Sequence, residues 1–253
     1  MRKANLSRIT KNGKSLMLAY DHGLEHGPKD FNGNNINPGY ILNIAKSGGY
    51  NGVILQKGVA EKYYTNEYRK VPLVLKLNGK TNICKGEPIS RQICSVKEAV
   101  SIGASAVGYT IYIGSAFESE MFSEFGKIEE EAHSRGLPVI MWAYPRGRAV
   151  KRLTHETLIY AARVGLELGA DFVKIKYTGS TNSFKKAVEV AGRCGVLCLG
   201  GSKLDEKKFL QQARDAMSAG AAGMVIGRNV WQSSNPMKVT EKLKKIIFRK
   251  DVK

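Results

Sequence analysis

Eight short apolar runs punctuate the chain, each bounded by Gly, Pro or Asn and separated from the next by residues with helical spacing. They are SLMLAYDHG (15–23), GVILQKG (52–58), VPLVLKLNG (71–79), SAVGYTIYIG (105–114), LPVIMWAYP (137–145), ADFVKIKYTG (170–179), GVLCLGGSK (195–203) and AAGMVIGRNV (221–230). Most are rich in β-branched or aromatic residues, as strands are. Between them, THETLIYAARVGLELG brings Leu158, Ala161, Ala162, Gly165 and Leu166 near one helical face behind a candidate N-cap, Thr154. Phe209, Leu210, Ala213 and Met217 line a face in the same way behind Asp205. A weak repeat supports the alternation: SIGASAVGYT, ELGADFVKIK and SAGAAGMVIG each end a helix on Gly, turn through Ala and enter a strand. Strand and helix alternating eight times predict an α/β fold of the (β/α)8 TIM-barrel type, a single domain over 1–253. An open doubly wound sheet is the competing architecture, but no GxGxxG follows the first strand.

Composition narrows the class. The 253 residues are 43% apolar, enough for one sizeable core. No run approaches the length of a membrane span, and MRKANLSRITKNGK lacks the apolar centre of a signal peptide, so a soluble cytoplasmic protein is expected. Cys84, Cys94, Cys194 and Cys198 show no CxxC spacing, which argues for reduced thiols over a zinc site. Forty Lys and Arg against 22 Asp and Glu give +18, a field that suits small anions such as sugar phosphates or, alternatively, a nucleic acid. The basic residues are scattered from end to end, with no stripe of interleaved aromatics, so nucleic-acid binding is the weaker alternative.

In such a barrel the working groups collect where the strands end. Those ends hold Asp21 and His22, with Glu25 and His26 beyond them, then Lys57, Lys76, Trp142, Tyr144, Arg146, Lys174 and Lys176. Lys174 and Lys176 are two apart and so share a strand face, where they are expected to crowd one another. Crowding and burial both lower a lysine pKa, and a neutral amine attacks a ketone to form a Schiff base. On these grounds either lysine qualifies, although Lys176 also suits a solvated strand end and Lys174 an ion pair with Asp21. Gly200, Gly201 and Ser202 after the seventh strand, with Gly227 and Arg228 after the eighth, make a candidate phosphate cradle. His22 and His26 have the H-x3-H spacing of two metal ligands, but they straddle a turn where helical register is not assured, and no metal is expected.

LAYDHGLEHGP (18–28), MWAYPRG (141–147), FVKIKYTG (172–179), LGGSK (199–203) and VIGRNVWQ (225–232) together resemble the archaeal-type class I fructose-bisphosphate aldolases of the DhnA family. The resemblance runs in order along nearly the whole chain. It implies a (β/α)8 barrel, Schiff-base chemistry without a metal or other cofactor, a phosphorylated sugar substrate, and a homo-oligomer built from pentamers. It selects Lys174 as the imine-forming lysine, Tyr144 as the proton-transfer tyrosine and Asp21 as its acidic partner. His22, His26, Lys57, Trp142 and Arg146 correspond to positions around the sugar, and Gly200, Gly201, Ser202, Gly227 and Arg228 to the phosphate cradle. A sister class, the 2-amino-3,7-dideoxy-D-threo-hept-6-ulosonate synthases, shares the lysine, the tyrosine and both glycine motifs and catalyses a transaldolase-like exchange. DHGLEHGP favours the fructose-bisphosphate side.

Overall fold

The computed structural model describes residues 4–249. All eight apolar runs contain strands: β1 Ser15–Ala19, β2 Gly52–Gln56, β3 Leu73–Lys76, β4 Ala104–Ile113, β5 Val139–Pro145, β6 Phe172–Lys176, β7 Gly195–Leu199 and β8 Gly223–Ile226. They pair in sequence order, all parallel, and β1 closes on β8 with Met17 beside Val225, giving a closed barrel. The helices are α1 Gly23–His26, α2 Pro38–Ser47, α3 Lys57–Tyr63, α4 Val96–Ile102, α5 Glu118–Ser134, α6 His155–Glu167, α7 Thr181–Ala191, α8 Glu206–Ser218, α9 Arg228–Trp231 and α10 Pro236–Ile247. None among the described residues is long and apolar enough to cross a membrane.

Local chemistry explains the helix boundaries. The Thr154 side chain accepts from the Thr157 amide in a reciprocal cap at the start of α6, and Asp205 accepts from the Lys207 and Lys208 amides ahead of α8. The three glycines of the repeat, Gly103, Gly169 and Gly220, have φ of 98°, 79° and 96°, the left-handed backbone that lets each chain leave its helix.

Side chains alternate across each strand, so the barrel has two apolar layers. Met17, Ile54, Val74, Ala106, Ile140, Phe172, Leu197 and Val225, one from each strand, fill the interior. Their neighbours in sequence, such as Leu18, Val53, Leu75, Val173 and Ile175, pack outward against the helices. This parity assigns the polar strand ends. Lys174 follows Phe172 by two and faces inward; Lys76 follows Val74, and Trp142 and Tyr144 follow Ile140. Lys57 has the parity of Val53 and Leu55, which point the other way.

Candidate active site

The inward parity and the strand ends converge on a cavity of about 390 Å³ at the C-terminal mouth of the barrel. Lys174, Tyr144 and Asp21 line it, as do His22, His26, Trp142 and Arg146. Gly200, Gly201, Ser202, Gly227 and Arg228 form its β7–β8 side. Lys57 is the exception. Its outward parity takes it to the start of α3, where it pairs with Glu98 of α4, and Gln56 occupies the inward position at the end of β2. The expectation for Lys57 is therefore corrected: the strand ends one residue before it, and the side chain does not line the cavity.

Lys174 is 6% exposed, and its Nζ sits 4.8 Å from the centroid of the Trp142 ring. Burial pushes its pKa down to about 8; Asp21 and Glu25 oppose that shift, and Lys76 adds to it. The like charge acting on Lys174 is thus Lys76, across the barrel, and not Lys176, the exposed last residue of β6. No ion pair of 4.0 Å or less joins Asp21 to Lys174 among the described residues. Burial by itself would raise the Asp21 pKa, but Lys174, Lys76 and His22 together hold it below the usual carboxylate range. Tyr144 shows the opposite shift: burial, then Asp21 and Glu25, push its hydroxyl well above 10, so it stays protonated at neutral pH.

On the β1 side, the His22 ring stacks on Trp231 with centroids 5.4 Å apart, and burial lowers its pKa to about 4. His26 Nδ1 lies 3.0 Å from Asp30 Oδ2, and the same carboxylate oxygen accepts from Arg228 Nη1 at 3.2 Å. Asn229 ties the two glycine loops together: its Nδ2 donates to the carbonyls of Gly200 and Ser202 at 2.8 and 3.0 Å. At the outer rim Arg146 Nη1 donates to Glu25 Oε1 at 2.8 Å, with the guanidinium 5.3 Å from the centroid of the Tyr112 ring. The site therefore has three parts: an enclosed amine flanked by an acid and a phenol, a glycine-lined wall carrying Arg228, and a basic rim. Among the described residues no group of three or more His, Cys, Asp or Glu could hold a metal ion.

Residues 15–233 match the model of the DeoC/LacD family aldolases. The chain belongs to that family. Over 244 residues it is 51% identical to the class 1 fructose-bisphosphate aldolase of Thermoproteus tenax, covering 95% of this chain and 92% of that protein. It superposes with a TM-score of 0.91 and 50% identity on an archaeal fructose-1,6-bisphosphate aldolase whose catalytic lysine is covalently bound to the carbinolamine intermediate of its substrate; the match covers 96% of this chain and 98% of that one. The 2-amino-3,7-dideoxy-D-threo-hept-6-ulosonate synthase 1 of Archaeoglobus fulgidus is more distant, 33% identical over 97% of this chain and 90% of that protein.

In this aldolase the structure also brings to the cavity residues that strand-end reasoning left without a role. Lys76, Gln56 and Thr110 line it through inward parity, and Glu25 and Tyr112 join Arg146 at the rim. The parity rule applied to β2 and β4 finds Gln56, Thr110 and Tyr112. The Glu25–Arg146 pair spans 121 positions and leaves no local trace.

Proposed function

We propose that this chain is a class I fructose-1,6-bisphosphate aldolase, cleaving its substrate reversibly to dihydroxyacetone phosphate and glyceraldehyde 3-phosphate. The observation that carries this reading is the enclosed Lys174 amine, its pKa brought down to about 8 by burial, facing Asp21 and Tyr144 in the cavity. The relatives of known activity support it. Neutral Lys174 attacks the C2 carbonyl, and loss of water from the carbinolamine leaves a protonated imine. Asp21, held as a carboxylate, takes the proton from the C4 hydroxyl. The C3–C4 electrons then flow into the imine, glyceraldehyde 3-phosphate leaves, and an enamine remains. Tyr144, still protonated, delivers a proton to C3, and water hydrolyses the imine to free dihydroxyacetone phosphate and Lys174. The glycine loops with Ser202 and Arg228 hold one phosphate. His22, His26 and Arg146 surround the rest of the sugar, and Trp142 forms the floor beneath the amine. The reaction uses the lysine imine in place of a metal or other cofactor.

The enzyme is a homo-oligomer, a reading that the resemblance supports. Four free thiols, Cys84, Cys94, Cys194 and Cys198, suit a reducing cytoplasm. Incubation with fructose 1,6-bisphosphate alone tests the activity: triose phosphates appear if the reading is right. A requirement for a second carbonyl acceptor assigns the chain to the transaldolase-like sister class instead.

A further inference from the structure

Two buried amines share the barrel mouth, and the reaction above uses one of them. Lys76 ends β3 at 5% exposure, and Lys174 stands in β6 at 6%. Two strands separate them in the sheet, and the Trp142 ring spans that gap, 5.3 Å from Lys76 Nζ and 4.8 Å from Lys174 Nζ. Gly108 on β4 makes the span possible, because a Cβ there would lie 2.1 Å from the indole. The one hydrogen bond recorded for Lys76 is long, 3.4 Å to the Asn78 carbonyl, and no carboxylate pairs with it within 4.0 Å among the described residues. A buried ammonium held this loosely is expensive to keep for packing alone.

Charge balance supplies a reason. Attack on a ketone needs Lys174 neutral, while taking a hydroxyl proton needs Asp21 ionised. With Lys174 as the only cation nearby, these two demands conflict, because a buried carboxylate holds its neighbour in the charged form. A second fixed cation separates them. We propose that Lys76 is a positioning residue for the covalent step: it is the standing countercharge of Asp21 and the like charge across Trp142 from Lys174, so that Lys174 reacts as a free amine while Asp21 remains a carboxylate. The inference rests on the aldolase reading.

The titratable and charged groups lining the cavity with Lys174 are Asp21, His22, Glu25 and His26 beyond β1, Lys76 on β3 and Lys80 after it, Tyr112 on β4, Tyr144 on β5 and Arg146 after it, Lys176 at the end of its own strand, and Arg228 after β8. Asp21 and Glu25 favour its charged form, and Lys76 opposes them. Lys76 is itself pushed down by burial and held up by Asp21 and Glu25, the same two carboxylates that act on Lys174. Loss of Lys76 would leave Lys174 as the buried lysine that balances Asp21 and drive its pKa upward.

The test is the pH profile of cyanoborohydride trapping with dihydroxyacetone phosphate, run on wild type and on Lys76→Met, Lys76→Gln and Lys76→Arg. Trapping by wild type should rise through a half-point near 8. In Lys76→Met and Lys76→Gln the half-point should move up by about one pH unit or more, so that trapping at pH 7 falls about tenfold and recovers in alkali. Lys76→Arg, which keeps the charge, should stay close to wild type. Circular dichroism and thermal unfolding identify which neutral variant is folded; either one carries the comparison. A folded neutral variant with an unmoved half-point, or an Arg variant displaced as far as the Met variant, overturns the role of Lys76. A wild type that forms no adduct overturns the aldolase reading, which is a separate result.

Discussion

The two ends of the barrel treat their polar groups in opposite ways. At the lower end, where the strands begin, His133 lies between Glu129 and Asp171 at 2.6 and 2.9 Å, and Asp171 also accepts from the Val139 amide at 2.8 Å. Lys14 donates to the Ala221 carbonyl at 2.7 Å and Ser15 to the Ile9 carbonyl at 2.7 Å, while the Ile9 side chain joins the interior core with no exposed surface. At the mouth two lysines are buried without a close carboxylate. The buried side-chain atoms lacking any hydrogen-bond partner among the described residues, His22 Nε2, Gln56 Oε1 and Trp142 Nε1, all belong to residues lining the cavity. An orphaned buried polar atom costs about 1–3 kcal/mol. The lower end is satisfied within the chain and holds the barrel together; the mouth is left incomplete where a substrate can complete it.

Substitutions should divide along that line. Lys174→Met is expected to lower kcat/KM by on the order of 10⁵-fold, as loss of a covalent nucleophile does. It should also raise the melting temperature. The Lys174 pKa is lower in the folded chain than in the unfolded one, so at neutral pH the unfolded state holds that proton more tightly and burying the lysine opposes folding. Its removal relieves up to about 3 kcal/mol, readable by calorimetry. A destabilised Lys174→Met would contradict the contrast between the two ends. Tyr144→Phe should reduce turnover about 10²–10⁴-fold while still allowing the Lys174 adduct to be trapped, which separates proton delivery from imine formation. At the lower end, His133→Ala should leave kcat within about twofold but cost about 1–3 kcal/mol of stability, because two carboxylates then face one another with no bridging partner. Denaturant unfolding combined with a steady-state assay checks both halves. Lys57→Ala should have the smallest effect, with KM changed by less than about twofold, since the side chain lies outside the cavity in a half-exposed pair with Glu98.

Much of this is legible in the sequence. Each of the eight apolar runs contains a strand, because short β-branched segments between glycine turns leave few alternatives, and the caps at Thr154 and Asp205 start the helices expected of them. Reading the strand ends brings Lys174, Trp142, Tyr144 and Arg146 to the cavity. That reading fails at Lys57, where the strand stops one residue earlier than the run suggests and the period of two puts the side chain on the outer layer. Proximity across the barrel was not legible at all. That Lys76 and not Lys176 is the charge felt by Lys174 depends on closure of the sheet and on Trp142 reaching over Gly108, which no local pattern records.

The most direct measurement is borohydride reduction in the presence of dihydroxyacetone phosphate, with and without EDTA, followed by peptide mass mapping. One adduct, on Lys174 and insensitive to EDTA, is the predicted result. An adduct on Lys176 or Lys76, or cleavage that EDTA abolishes with no adduct formed, would contradict the account.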